Sequence, residues 1–211
     1  MHKLRARMGP SFEVPYFDPA DGGVNAGCLF LLEAPGAKAI KSGFVSRNNA
    51  DETAKNFFLL NREAGTDRKR TIVWNIVPWY VGSGTKIRPV NVVDVAVAAP
   101  ALTALLLLLP HLHTIVLVGR KTASSRSAVS ALTPHATLYA IPHPSPMFVN
   151  RSPANRSALL SALHKVAANL PHAQQRLTCP CKGLPKGAFE LDRDGVIFEK
   201  QTRDGSKNHR G

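Results

Sequence analysis

Residues 28–34 read CLFLLEA, a short apolar run that a Pro-Gly pair follows. Runs of the same kind occupy residues 71–77 (TIVWNIV), 114–119 (TIVLVG) and 136–141 (ATLYAI). Short, continuous apolar runs bounded by breakers are typical of buried strands, and they favour a parallel sheet covered on both faces. We therefore predict that these four strands form the centre of the fold.

Helical patterns separate the predicted strands. Asn49 and Glu52 have the spacing of a capping box, and Gly65 is placed to end the helix that follows. Pro100 suits the first turn of a second helix, which Pro110 would end. The spacing predicts one helix between Asn49 and Gly65 and another from Pro100 onward.

Two further helical patterns complete the alternation. One covers residues 122–132, and the other begins with Ser152 as cap and Pro153 in the first turn. This alternation predicts an α/β fold, a three-layer α/β/α sandwich with a central four-stranded, mainly parallel sheet and right-handed crossovers. We expect one domain over residues 1–170 and a basic C-terminal tail, partly ordered at most, over residues 171–211.

The charge of the chain indicates the class of partner. Its 211 residues include 27 Lys and Arg against 14 Asp and Glu, a formal net charge of +13. Nucleic acid suits such an excess, although ribosomal and membrane-surface proteins share it. The longest apolar run, residues 105–109, is too short to cross a bilayer, and no apolar block of a secretory signal follows the basic start. We therefore expect a soluble, cytoplasmic protein without a membrane partner.

The three cysteines do not indicate a metal site. Cys28, Cys179 and Cys181 cannot all pair within the chain, and the Cys-Pro-Cys spacing is tighter than zinc or redox motifs use. We expect no metal and no organic cofactor.

Unusual residues follow three of the four predicted strands. They are the turn at residues 33–36 (EAPG), Asn75, and the run at residues 143–146 (HPSP). Since the carboxyl ends of parallel strands meet at one edge, where such sheets bind ligands, we expect these residues to share a site. Gly36 would leave space there, and the two prolines around Ser145 would form a stiff loop suited to distorting DNA.

Several stretches together resemble the uracil-DNA glycosylase superfamily. In order and spacing, over roughly residues 12–170, the resemblance is carried by LLEAPG (31–36), SGFVSRNN (42–49), WNIVPWY (74–80), LVGRKTA (117–123) and HPSPMFVNR (143–151). The EAPG turn is most similar to the thermophile-type iron–sulfur branch of that superfamily. That branch uses four cluster cysteines, so we expect no cluster in a chain with three poorly spaced ones.

The resemblance implies how a base would be held. Phe44 would stack on the flipped-out base, and Asn75 would read the uracil edge with its amide. His143 would donate a hydrogen bond to uracil O2 as negative charge builds on the leaving base. Ala34 and Gly36 would line the same pocket.

The resemblance also implies contacts with DNA. Met147 would occupy the wedge position that fills the gap left in the duplex. The candidates for contacts along the backbone are Ser145, Pro146, Arg151, Arg156, Arg120 and Lys121.

One position departs from the best-known branches. There an Asp or Asn directly before the motif proline positions the attacking water, whereas Ala34 stands here. We expect Glu33 to take this role, with Asp18 or Asp21 as alternatives. A further branch traps uracil-DNA through a histidine in a basic loop, and the comparable residues 84–90 (GTKIRPV) contain none, so we expect no covalent adduct.

These implications amount to a monofunctional DNA glycosylase of base-excision repair, monomeric and of bacterial type. It would flip uracil out of single- or double-stranded DNA, hydrolyse the N-glycosidic bond, release free uracil and leave an abasic site. Two alternatives stay open: a non-excising binder of uracil or abasic sites, and a broader deaminated-base glycosylase for hypoxanthine or xanthine. A generic nucleotide-binding protein is disfavoured because LVGRKTA has no multi-glycine phosphate cradle.

Overall fold

The computed structural model describes residues 2–9, 12–83, 86–170, 189–191 and 197–199. The chain divides into two compact units, Met1–Pro171 and His172–Gly211. The strands of the first unit are β1 (Tyr16–Phe17), β2 (Cys28–Leu32), β3 (Phe44–Val45), β4 (Thr71–Asn75), β5 (Gly82–Ser83), β6 (Lys86–Ile87), β7 (Thr114–Val118) and β8 (Thr137–Ile141). Its helices are α1 (His2–Met8), α2 (Ala37–Ser42), α3 (Glu52–Glu63), α4 (Val92–Leu107), α5 (Arg120–Ser124), α6 (Arg126–Leu132), α7 (Pro146–Val149) and α8 (Pro153–Ala168).

The second unit is described in two short strands only. These are β9 (Phe189–Leu191) and β10 (Ile197–Glu199), which pair antiparallel. The remaining predictions for the tail, including those on Cys179 and Cys181, lie outside the described residues.

The central sheet has the strand order β4-β2-β7-β8, and all its strands run parallel. β2 and β7 lie in the middle, where the apolar residues of both strands are almost fully buried. Their continuous apolar runs follow from this position, because both faces of an inner strand are covered. The predicted fold class is therefore confirmed: a mixed α/β protein whose four-stranded parallel sheet is flanked by helices.

Aromatic side chains fill the two faces of the sheet. On one face Phe30 of β2 meets Phe57 of α3 edge to face, with ring centroids 5.0 Å apart. On the other face Trp74 of β4 stacks on Phe17 at 3.9 Å, beside Leu105 of α4. Each fully buried side chain of this size contributes about 1.5–3 kcal/mol, so these contacts hold the helices to the sheet.

The start of α3 differs from the prediction. Its N-cap is Asp51, whose Oδ1 accepts from the backbone N–H of Ala54 at 2.9 Å, and not Asn49. Asn49 belongs to the preceding loop, where its Nδ2 donates to the carbonyl of Phe44 at 3.0 Å. Gly65 does follow the end of the helix, with the left-handed φ of 74° that favours glycine there.

α4 begins earlier than predicted. A capping box between Asn91 and Asp94 starts the helix at Val92, so Pro100 lies in its interior and not in its first turn. The helical pattern over residues 122–132 is also divided, because Ser125 separates α5 from α6. α8, in contrast, has the predicted Ser152 cap and Pro153 in its first turn.

None of the described helices combines the length and apolar character needed to span a membrane.

Candidate active site

The predicted edge of the sheet contains a cavity of about 460 Å³. It lies where β2, β4 and β8 end, and both Asn75 and His143 line it. The polar and turn residues of its lining that matter for chemistry are Ala34, Gly36, Arg47, Asp51, Asn75 and His143. The strand ends therefore bring the amide and the imidazole to one cavity, although they are far apart in the chain.

Asn75 carries a buried acceptor without a described partner. The residue is 2% exposed, and no described group donates to its Oδ1. The backbone holds it in place, because Ile76 N–H donates to the Leu32 carbonyl at 2.7 Å and continues the pairing of β4 with β2. A buried acceptor without a partner costs about 1–3 kcal/mol, which a ligand N–H group would recover.

His143 is half-buried, and its surroundings favour the neutral ring. Burial lowers the pKa of His143, while Glu33 and Asp51 raise it by a smaller amount. The usual pKa of histidine is about 6.5, so the lowered pKa keeps the imidazole neutral at pH 7. A neutral imidazole donates one hydrogen bond from one ring nitrogen.

Gly119 lies next to the side chain of His143. Its φ is +91°, and a Cβ at this position would lie 3.4 Å from Cβ of His143. Its backbone N–H donates to the carbonyl of Ile141 at 2.8 Å, just before the loop that carries His143. Glycine here permits both the left-handed backbone and the close approach of the histidine.

The turn after β2 forms one wall of the cavity. Ala34 and Gly36 both line it, and no atom lies within 4 Å of a Cβ built on Gly36. Gly36 precedes α2 and adopts an ordinary extended conformation. The role of this glycine is therefore to leave open space, since its backbone would permit another residue.

Glu33 lies between two residues that line the cavity but does not itself belong to the described lining. Its Oε1 accepts from the backbone N–H of Val90 at 3.2 Å. Leu32, the last residue of β2, and Ala34 line the cavity, whereas the carboxylate of Glu33 between them is engaged by Val90. This carboxylate ties the turn to the segment before α4.

The two alternative acids, Asp18 and Asp21, form ion pairs with arginines. Asp18 accepts from Ser46 and Arg68. Asp21 accepts from Arg47 Nη2 and from Arg68 Nε, and both of these bonds are 2.8 Å long. Both aspartates are buried, and neither is among the described residues of the cavity lining. These contacts favour a structural role for the two carboxylates.

Phe44 lies outside the described lining, next to Val45, which lines the cavity. The side chain of Phe44 is 38% exposed, and its ring is 6.3 Å from that of Tyr16. In this arrangement the ring of Phe44 lies beside Tyr16 of β1. Stacking on a base would require it to turn towards the cavity.

The candidates for DNA contacts surround the His-Pro-Ser-Pro loop. Met147 is 87% exposed on α7, next to a shallow cavity that Ser145 and Arg151 also line. Arg120 and Ser145 share a second cavity that borders His143. The structure therefore brings these side chains to the same side of the histidine.

Two of the basic candidates already have protein partners. Arg156 forms an exposed ion pair with Glu63. Lys121 Nζ lies 3.5 Å from the carbonyl of Val90. A phosphate contact by Arg156 would replace or share its present pairing.

Three charged residues of the lining, Lys38, Arg47 and Asp51, were not expected from the sequence. Asp51 is the only carboxylate among the described lining residues, and Arg47 is buried to 4% exposure with its Nε lacking a described partner. Arg47 Nη2 also donates to Thr71 Oγ1 at 2.7 Å, which holds the loop after β3 against the start of β4. The signal for Asp51 was its position before the helical run of α3, where a cap is preferred.

Comparisons with known proteins identify the family of the chain. The family model described as the uracil DNA glycosylase superfamily matches residues 19–167. Among solved structures, the solution structure of a candidate uracil DNA glycosylase from Methanosarcina acetivorans is 16% identical with a TM-score of 0.49, covering 72% of this chain and 98% of its own. The crystal structure of wild-type Pedobacter heparinus SMUG2 is 14% identical with a TM-score of 0.48, covering 68% and 74%. None of the curated proteins compared with the chain matches it.

Proposed function

Because the chain belongs to the uracil DNA glycosylase superfamily, a family of DNA glycosylases, we propose that it excises uracil from DNA. The observation that carries the proposal is the cavity that Asn75 and His143 line together, since the Oδ1 of Asn75 is buried without a described partner. The enzyme does not cleave the DNA backbone, and it leaves an abasic site.

Asn75 recognises the base. Its Oδ1 accepts from N3–H of uracil, and its Nδ2 donates to O4. Cytosine has no N3–H and carries an amino group at C4, so both contacts would be lost. The amide thereby selects a deaminated pyrimidine.

His143 stabilises the leaving group. As the C1′–N1 bond breaks, its electron pair passes to the base, and negative charge collects on O2. The neutral imidazole donates a hydrogen bond to this oxygen, a contact that strengthens in the transition state. The sugar cation left behind reacts with water.

The assay is cleavage of a fluorescent uracil-containing oligonucleotide after alkali treatment. We expect cleavage by the wild-type chain and a roughly 100–1,000-fold lower single-turnover rate for His143→Ala. His164→Ala, an exposed histidine on α8, is the matched control and should retain the wild-type rate. A shifted but uncleaved oligonucleotide would instead identify a non-excising binder.

Asn75→Leu separates recognition from structure. Since Oδ1 has no described partner, replacing the amide with an apolar group of similar shape should leave the melting temperature unchanged or higher. The excision rate should nevertheless fall by about 100-fold, because two base contacts disappear. A lower melting temperature with normal excision would show that the amide is structural.

Substrate preference follows from the cost of flipping. Extruding a base costs a few kcal/mol, and less from single strands or mismatches. We expect rates on single-stranded and G·U substrates at least equal to those on A·U. An A·U duplex that reacts clearly fastest would contradict this expectation.

A broader deaminated-base activity is the second candidate. The open space at Gly36, in a cavity of about 460 Å³, favours it because a purine needs more room than uracil. The test is the same assay with hypoxanthine- and xanthine-containing strands, repeated with Gly36→Leu. Selective loss of purine excision in the variant would support the wider range.

A further inference from the structure

The attacking water lacks an obvious partner in the turn that usually supplies one. Ala34 has no polar side-chain atom. Glu33 lies outside the described lining, and its Oε1 accepts from the backbone N–H of Val90. Asp18 and Asp21 are paired with arginines. With these four residues set aside, one carboxylate remains in the described lining of the cavity.

That carboxylate is Asp51. It lines the cavity together with His143 and Asn75. Its Oδ1 accepts from Ala54 N–H at 2.9 Å as the cap of α3, and its Oδ2 has no described hydrogen-bond partner. One oxygen therefore orients the group while the other is available to a ligand.

A second contact holds Asp51 near the reacting atoms. Asn56, in the next turn of α3, donates from Nδ2 to the carbonyl of Pro144 at 3.2 Å. This bond fixes the start of α3 against the loop that carries His143. Glu33 and Asp51 both raise the pKa of His143, Glu33 more strongly, so it is the place of Asp51 in the cavity lining that distinguishes the two carboxylates.

We propose that Asp51 is the catalytic carboxylate that binds the attacking water and stabilises the sugar cation. This assignment rests on the proposed uracil excision. It replaces Glu33 as the expected source of water activation.

The chemical step is a hydrolysis. The C1′–N1 bond breaks, and its electron pair leaves with the uracil anion, to whose O2 His143 donates. A water oxygen then forms a bond to C1′ while Asp51 Oδ2 accepts one of the water protons. That proton passes through solvent to the uracil anion, so water and deoxyuridine in DNA give an abasic sugar and neutral uracil.

The decisive variant is Asp51→Asn in the full chain. Asparagine caps a helix as well as aspartate, so α3 should persist while the negative charge is removed. We expect a single-turnover excision rate about 100-fold or more below wild type, with unchanged affinity for uracil-containing DNA. Asp67→Asn is the matched control, because Asp67 also caps a helical turn, through Lys69 N–H at 2.9 Å, but lies outside the described lining.

An NMR titration provides a readout that a capping role alone would not move. Asp51 raises the pKa of His143, so Asp51→Asn should lower that pKa further, and Asp67→Asn should not change it. A rate for Asp51→Asn within threefold of wild type, or a larger loss for Glu33→Gln, would overturn the assignment while uracil excision stands. A wild-type chain that never cleaves would instead overturn the proposed function, and the assignment with it.

Discussion

At the scale of single residues, the cavity combines two groups that a folded protein has little reason to keep. Asn75 buries an acceptor without a described partner, and His143 is held neutral by its surroundings. The unpaired acceptor costs stability unless a ligand uses it. Such groups mark the position of a binding site more reliably than the size of a cavity does.

The pH dependence of excision tests the state of His143. Burial lowers the pKa of His143 below its usual value of about 6.5, and the neutral ring is the proposed donor. The single-turnover rate should therefore be flat from neutral pH upwards and fall only below pH 6.5. A rate that rises as pH falls would indicate a charged imidazole.

The same shift has a consequence for stability. Because the folded-state pKa of His143 is depressed, the unfolded chain binds the proton more readily. The contribution of this group to the free energy of unfolding is fully present above about pH 6.5 and is lost as pH falls through the folded-state pKa.

Gly119→Ala should disturb the histidine. The new Cβ would lie 3.4 Å from Cβ of His143, and the φ of +91° is strained for alanine by about 1–2 kcal/mol. We expect a lower melting temperature together with a slower excision rate. Gly65→Ala is the control: its φ is +74° but nothing lies within 4 Å, so stability should fall while the rate is kept.

At the scale of elements, α4 carries a proline in its interior. Pro100 is exposed and cannot donate to the carbonyl one turn earlier. Pro100→Ala should raise the free energy of unfolding by about 1–3 kcal/mol, measured by urea denaturation. Pro153→Ala should show no such gain, because proline suits the first turn of α8. Equal effects at both positions would mean that the proline in α4 is not strained.

Strand alternation decides which side chains reach the cavity. Leu32 and Ala34 line it while Glu33 does not, and Val73 and Asn75 line it while Trp74 does not. A period of two places successive side chains on opposite faces. This geometry places Asn75 in the lining, whereas Glu33, just beyond the end of β2, is engaged by Val90.

At the scale of the whole molecule, a buried ionic network joins three segments near the cavity. Arg47 bonds Asp21 and Thr71, and Arg68 bonds Asp18, Asp21 and Asn48. The network connects the loop after β1, the loop after β3 and the start of β4. It thereby holds the cavity wall that Arg47 itself lines.

Arg47→Met should destabilise the protein strongly. Removing one partner of a buried ion pair leaves part of the remaining charge uncompensated, at a cost of about 3–5 kcal/mol. Arg156→Met removes an exposed ion pair with Glu63 and should change stability little. Chemical denaturation of both variants compares the two environments, and equal losses would show that burial of Arg47 is not decisive.

The net charge of +13 should make DNA binding sensitive to salt. Each phosphate neutralised by Lys or Arg releases counterions, and log affinity falls with log salt by about 0.9 per contact on duplex DNA. Titrations between about 50 and 200 mM salt should show a steep slope. A flat dependence would mean that base contacts alone account for binding.

The sheet and the two main residues of the site could be predicted from local sequence. Apolar runs such as that of β2 become strands wherever they are buried on both faces, and parallel strands must end at one edge. Asn75 and His143 therefore belong to that edge whatever the rest of the chain does. The Ser152 cap of α8 is likewise local, since it depends on residues in one turn.

Only the tertiary structure decided which acids face the cavity. Asp51 reaches it because α3 packs on β2 and bonds the loop that carries His143, Glu33 is engaged by Val90, and Asp18 and Asp21 are paired with arginines distant in sequence. Composition and spacing describe neighbours along the chain, whereas the direction of a carboxylate depends on partners that folding brings to it.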